Sequence, residues 1–197
     1  MTGPIARWCG LLGAVLLCIL GCGGLGGGPV EMTEADRQVP FTVYELAKRF
    51  DIEVDPSRES MEMEREFDGS YSINYVHDQS DDDEVLYLHV LLAREASAKD
   101  AVTTYGVFKT VIAAQFLGEE LERPERPELC SLGDQCSCNG LVNAVAEVGT
   151  QCFIVDGSNV AMVQMIGAMW SEPGEADTAL GPMLERMTAW NPTQRPE

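Results

Sequence analysis

The sequence predicts an α+β fold: an antiparallel sheet of about six strands with helices packed on it, an α/β/α sandwich. Three observations lead there. Asp68-Gly69 and Gly157-Ser158 are turn pairs of the hairpin kind, each set between two runs of strand-forming residues. The runs Val85 to Leu92 and Val160 to Ala168 are apolar on both faces, so both sides of the sheet need cover. Helical patterns at Val43 to Phe50, Ala98 to Leu117 and Pro182 to Trp190 supply that cover.

The elements follow in order. Thr42-Val43-Tyr44-Glu45 is a capping-box pattern, its hydroxyl and carboxylate taking up free amides of a first helical turn. Val43, Leu46, Ala47 and Phe50 then form one stripe. Met61 to Phe67 alternates, with the methionines inward and Glu62, Glu64 and Glu66 outward, as a half-buried strand does. Past Asp68-Gly69, the run Ser70 to His77 sets Tyr71, Ile73, Tyr75 and His77 on one face. A two-residue turn would place the methionine face beside Ser72 and Asn74. A three-residue loop or a bulge aligns it with the tyrosines, and that register is preferred here.

Asp78 to Glu84 holds five carboxylates but neither the spacing nor the central Gly of a calcium loop, so it reads as a solvated turn that attracts cations diffusely. The strand Val85 to Leu92 follows. Ser97-Ala98-Lys99-Asp100 caps a long helix that ends at Gly118, with Ala101, Tyr105, Phe108, Ile112 and Phe116 as its buried stripe. Glu119 to Cys138, with Pro124, Pro127 and Gly133, reads as a long loop. Leu141 to Glu147 is a strand, turned at Val148-Gly149 into Gln151 to Val155 and again at Gly157-Ser158 into Val160 to Ala168. Pro182 suits the first position of a last helix, with Pro173 to Leu180 as a preceding turn. This order of helix, three strands, long helix, three strands, helix is similar to the PsbP-like fold of exported lipoproteins. The likeness rests on element order and carries no functional residue with it.

Ahead of these elements, Met1 to Trp8 carries Arg7 as its one charge, and Leu11 to Leu20 is an apolar run of ten residues. A bilayer span needs roughly 20 apolar residues, so the run has the length of a signal segment. Ile19-Leu20-Gly21-Cys22 closes it and resembles a bacterial lipobox, although the family pattern has Leu where Ile19 stands and a small residue at Leu20. An ordinary secretory signal or a single anchor helix is the competing reading. The resemblance implies cleavage before Cys22 and a triacylated cysteine with palmitate-type chains, which is stable anchorage where one chain alone is marginal. Gly23 in place of Asp implies outer-membrane sorting under enteric-type rules. The expected layout is a signal peptide at 1–21, a lipidated Cys22 with a glycine-rich tether to 39, one globular domain at 40–190, and a tail at 191–197. From Cys22 to Pro40 such a tether reaches roughly 23 Å.

Without Arg7 the remainder holds 12 Lys+Arg against 32 Asp+Glu, a net −20. That charge repels nucleic acid and leaves basic partners favoured. Cys130, Cys136, Cys138 and Cys152, clustered in an exported chain, read as two disulfides. Joining Cys136 to Cys138 would close a strained small ring, which disfavours the pairing 130–152 with 136–138. The other two connectivities stay open. The spacings do not match the paired C-x(2–4)-C ligands usual for zinc, and Cys136-Ser137-Cys138 as a redox pair is a further alternative.

His77 and His89 are the two histidines, on neighbouring strands, and with Asp78 they would make a metal or acid–base site if they shared a face. Strand parity sets His89 with Tyr87, where a hydrogen-bonded structural role is the commoner one. No nucleophile elbow, zinc-protease, P-loop or dinucleotide motif occurs. The sequence therefore reads as a membrane-anchored envelope lipoprotein, a non-catalytic binding or interaction module without cofactor or metal. Its expected partners are the membrane, through lipid, and an envelope protein. A small His- or metal-dependent enzyme and a thiol-redox protein are the alternatives.

Overall fold

The computed structural model describes residues 27–79, 86–115 and 121–193. Its strands are β1 (Gly28–Pro29), β2 (Glu59–Arg65), β3 (Tyr71–Asp78), β4 (Tyr87–Arg94), β5 (Gln135–Val142), β6 (Glu147–Asp156) and β7 (Asn159–Ile166). Its helices are α1 (Glu34–Arg37), α2 (Val43–Phe50), α3 (Ala98–Gln115) and α4 (Glu175–Ala189). The strands form one antiparallel sheet in the order β1-β2-β3-β4-β7-β6-β5. Two three-stranded meanders, β2-β3-β4 and β5-β6-β7, thus meet along the β4–β7 seam.

Alternation sorts the side chains into two layers. Ile73, Leu88, Val90, Ile154 and Val163 enter the core that holds α2, α4 and the buried Trp170. Leu91, Phe153, Val160 and Met162 point the other way and meet Ala101, Tyr105 and Phe108 of α3. The helices therefore lie on both faces, as two-sided apolar strands require.

Local chemistry sets several joints. In the β2–β3 hairpin Glu66 N–H donates to Ser70 O at 2.9 Å, leaving Phe67-Asp68-Gly69 as a three-residue loop. Gly69 takes a φ of 86°, which a side chain would disfavour. Met63 consequently faces Ile73 and Met61 faces Tyr75, the preferred register. Glu45 Oε2 accepts from Thr42 N–H at 2.9 Å at the start of α2, and Ser97 Oγ accepts from Asp100 N–H at 3.2 Å before α3. Residues 116–118, where Leu117 and Gly118 were expected to end the long helix, lie outside the described residues, as do 80–85 of the acidic loop and 1–26 with Cys22.

Three boundaries differ from the sequence reading. The strand expected at Leu141 to Glu147 runs instead from Gln135 to Val142, and the turn falls at Asn143–Ala146. Asn143 Oδ1 accepts from the N–H groups of Val145 and Ala146 at 2.8 and 2.9 Å, an Asx turn that reverses the chain there. Gly149 lies inside β6, where an added Cβ would stand 2.1 Å from Met165 O, so it serves close strand approach and not a turn. Pro182 sits inside α4 and not at its start, because Ala176, Leu180, Met183, Leu184 and Met187 continue one buried stripe across it. Finally, the packed structure begins before Pro40. Thr33 and Asp36 form a capping box at α1, Trp190 Nε1 donates to Asp36 Oδ1 at 2.9 Å, and β1 pairs Gly28 with Arg65.

Candidate functional site

The two histidines do not share a site. Val76 and not His77 is paired with His89, so the rings leave opposite faces of the sheet. His77 is buried and its Nε2 lies 2.8 Å from Gln79 Oε1. His89 is buried on the side of the sheet that also carries α3, its Nε2 2.7 Å from Asn74 Oδ1 and its ring edge-on to Tyr87 at 6.4 Å. Burial lowers the His89 pKa from 6.5 to about 4, so the ring is neutral near neutral pH. With Nε2–H donating to Asn74, Nδ1 is the bare acceptor, and among the described residues it has no partner.

That nitrogen belongs to a polar row missed in the sequence. Across the sheet, His89, Gln164, Gln151 and Asn139 are successive cross-strand neighbours in β4, β7, β6 and β5. All four are buried. Arg123 donates through Nη2 to Gln151 Oε1, and Gln151 Nε2 donates to Gln164 Oε1 at 2.8 Å. Gln164 Nε2 is left without a partner among the described residues. The donor on Gln164 and the acceptor on the facing His89 are complementary in hydrogen-bonding role. The sequence did carry a signal: Gln151 and Gln164 stand at equal distances from the Gly157-Ser158 turn, on the parity of Phe153 and Met162.

A cavity of about 310 Å³ opens between the β2–β3 hairpin and α3, lined among others by Glu66, Phe67, Asp68, Glu95, Thr104 and Phe108. Burial, then the carboxylates of Glu64, Asp68 and Glu95, push the Glu66 pKa up. Glu95 is raised chiefly by burial, against a hydrogen bond from Thr104 Oγ1 at 2.7 Å that lowers it. The cavity is therefore poor in positive charge and rich in proton-binding capacity.

The four cysteines lie on the opposite face from His89. Strand parity sends Cys136 and Cys138 to one side of β5, and Cys138 is the register partner of Cys152 in β6. Two disulfides result, Cys130–Cys136 and Cys138–Cys152, one of the two connectivities left open by spacing. The Cα atoms stand 6.0 and 4.1 Å apart. The Sγ atoms of Cys130, Cys136 and Cys138 all lie within 4.8 Å of one another.

Fold and cysteines together define the class: an antiparallel α+β protein, helices on both faces of its sheet, stapled by two disulfides. Beyond the class, comparison with protein-family models, curated proteins and solved structures finds no match.

Proposed function

We propose that the chain is a bacterial cell-envelope lipoprotein, anchored through acyl chains on Cys22 at the outer membrane, whose folded part is a non-catalytic binding or interaction module. The observation that carries this reading is Ile19-Leu20-Gly21-Cys22 at the end of an apolar run of ten, with glycines directly behind it. Two disulfides in the folded part suit an oxidising compartment outside the cytosol. Among the described residues no helix is long and apolar enough to cross a membrane. The net −20 of the segment after the signal favours a basic protein partner and disfavours nucleic acid.

Lipid labelling in cells tests the anchor. Cys22→Ser is expected to lose the label and membrane retention while the soluble protein keeps its fold, because the glycines after Cys22 supply no side chains to the core. A wild-type protein of full precursor mass, unlabelled and still membrane-bound, would overturn the lipid anchor and favour an uncleaved helix. Cross-linking of wild type in intact envelopes then identifies the partner, and a module reading fails if no protein is captured above the level seen with Cys22→Ser.

A further inference from the structure

The two disulfides differ in what can reach them. Cys138 and Cys152 are 2% and 0% exposed, so their bond is closed to a solvent thiol. Cys130 is 7% exposed, whereas Cys136 is half-buried near the start of β5 and is the most exposed residue of the four. Thiol–disulfide exchange needs a thiolate to meet a disulfide sulfur directly, so access decides which bond opens first. Yet the outer and inner bonds are not independent, because Cys130 Sγ and Cys138 Sγ lie within 4.8 Å.

We propose that the pair forms a two-stage exchange site for a small external thiol, with Cys136 receiving the thiol and Cys130 passing the exchange inward. In the first stage the external thiol loses its proton and its sulfur bonds to Cys136 Sγ. The Cys130–Cys136 bond breaks and its electron pair leaves on Cys130 Sγ. In the second stage that thiolate bonds to Cys138 Sγ, the Cys138–Cys152 bond breaks, and Cys152 Sγ leaves with the pair and takes up the proton. Two disulfides and one thiol enter, and two disulfides and one thiol leave, so no net oxidant or reductant is consumed. The product holds a mixed disulfide at Cys136, a Cys130–Cys138 bond and a neutral thiol at Cys152, which a core tolerates as a small apolar group. Attack by Cys136 itself on Cys138 is set aside by the small ring it would close.

Two variants of the full chain separate this relay from simple loosening, since both lack the outer bond. Cys136→Ser leaves a thiol on Cys130, and Cys130→Ser/Cys136→Ser leaves none. Quenched in acid, denatured and then alkylated without reductant, the single variant is expected to show label on Cys152 and a Cys130–Cys138 bond by peptide mapping. The double variant should expose Cys152 to added glutathione at least about tenfold more slowly. Label confined to Cys130 in the single variant, or equal rates in the two, overturns the relay. Should either variant fail to fold, wild type with glutathione still decides it: a first adduct on Cys136 supports the proposal, and a first adduct on Cys138 or Cys152 ends it.

Discussion

Strands β2 and β5 flank the two meanders on their outer sides, and different forces hold them there. Glu59–Arg65 carries Met61 and Met63 on its inner face, and these set its register against Tyr75 and Ile73. Gln135–Val142 reads QCSCNGLV, with Leu141 as its one fully buried large aliphatic side chain. Its place is fixed by the bond from Cys138 to Cys152, by the bond from Cys136 to Cys130, and by the segment Glu122–Arg126 laid along its outer edge. Glu122 and Val142 exchange backbone hydrogen bonds there at 2.7 and 2.9 Å. Where alternation of apolar side chains can choose a register, a strand needs no covalent help. Where composition leaves the choice open, sulfur makes it.

That contrast can be broken most strongly at the inner disulfide. Cys138→Ala/Cys152→Ala is expected to cost about 2–5 kcal/mol in urea unfolding. Amide exchange should rise first in β5, with β3 still protected. Uniform acceleration across both meanders would show that the two halves unfold as one. Ile73→Ala, a fully buried change in the other meander, should cost a similar or smaller amount, about 2–4 kcal/mol, without singling out β5.

The seam between the halves offers a second handle. His89 in β4 faces Gln164 in β7, and its folded pKa of about 4 lies below its ordinary 6.5. Between those values the unfolded chain binds the extra proton, so stability falls as pH drops from 6.5 and the loss levels off below about 4. The full loss is about 3 kcal/mol. The half-buried Arg123, which bonds Gln151 in the same polar row, adds to the cost of a second cation there. Comparing pH profiles of wild type and His89→Gln isolates this group from the carboxylates, and identical slopes between pH 4 and 6.5 would refute it. The smallest effect is expected from Ser97→Ala, which removes the cap of α3 at a cost of about 1 kcal/mol. Because α3 packs on β6 and β7, its loosening should show there and leave β2 unchanged.

What could be read from the sequence follows the same division. The hairpin at Phe67-Asp68-Gly69, the start of α2 and the cap of α3 were legible because each is fixed by residues within a few positions of one another. Strand β5 was not, since its partners are a register contact with Cys152 and a disulfide to Cys130, both invisible to propensity. Of the candidate site, spacing excluded one cysteine pairing but could not choose between the other two. The choice came from register: Cys138 lies directly across from Cys152, which leaves Cys136 to Cys130. Pro182 misled because a buried stripe that spans a proline outweighs one lost backbone hydrogen bond. The early residues 28–39 misled because their ties, to Trp190 and Arg65, are far away in the chain.

The position of β1 has a consequence for clearance from the bilayer. On the proposed anchor, six residues of chain separate Cys22 from Gly28, a leash that even fully extended spans at most roughly 21 Å. It joins the sheet at one rim, and six strand spacings, roughly 29 Å, separate that rim from β5. The sheet is then wider than the leash is long, and β5 with Cys136 lies toward the rim opposite the one the leash joins. The reach of Cys136 is then set by how the sheet tilts on the membrane, a constraint on a partner held in the same leaflet and none on a diffusible thiol.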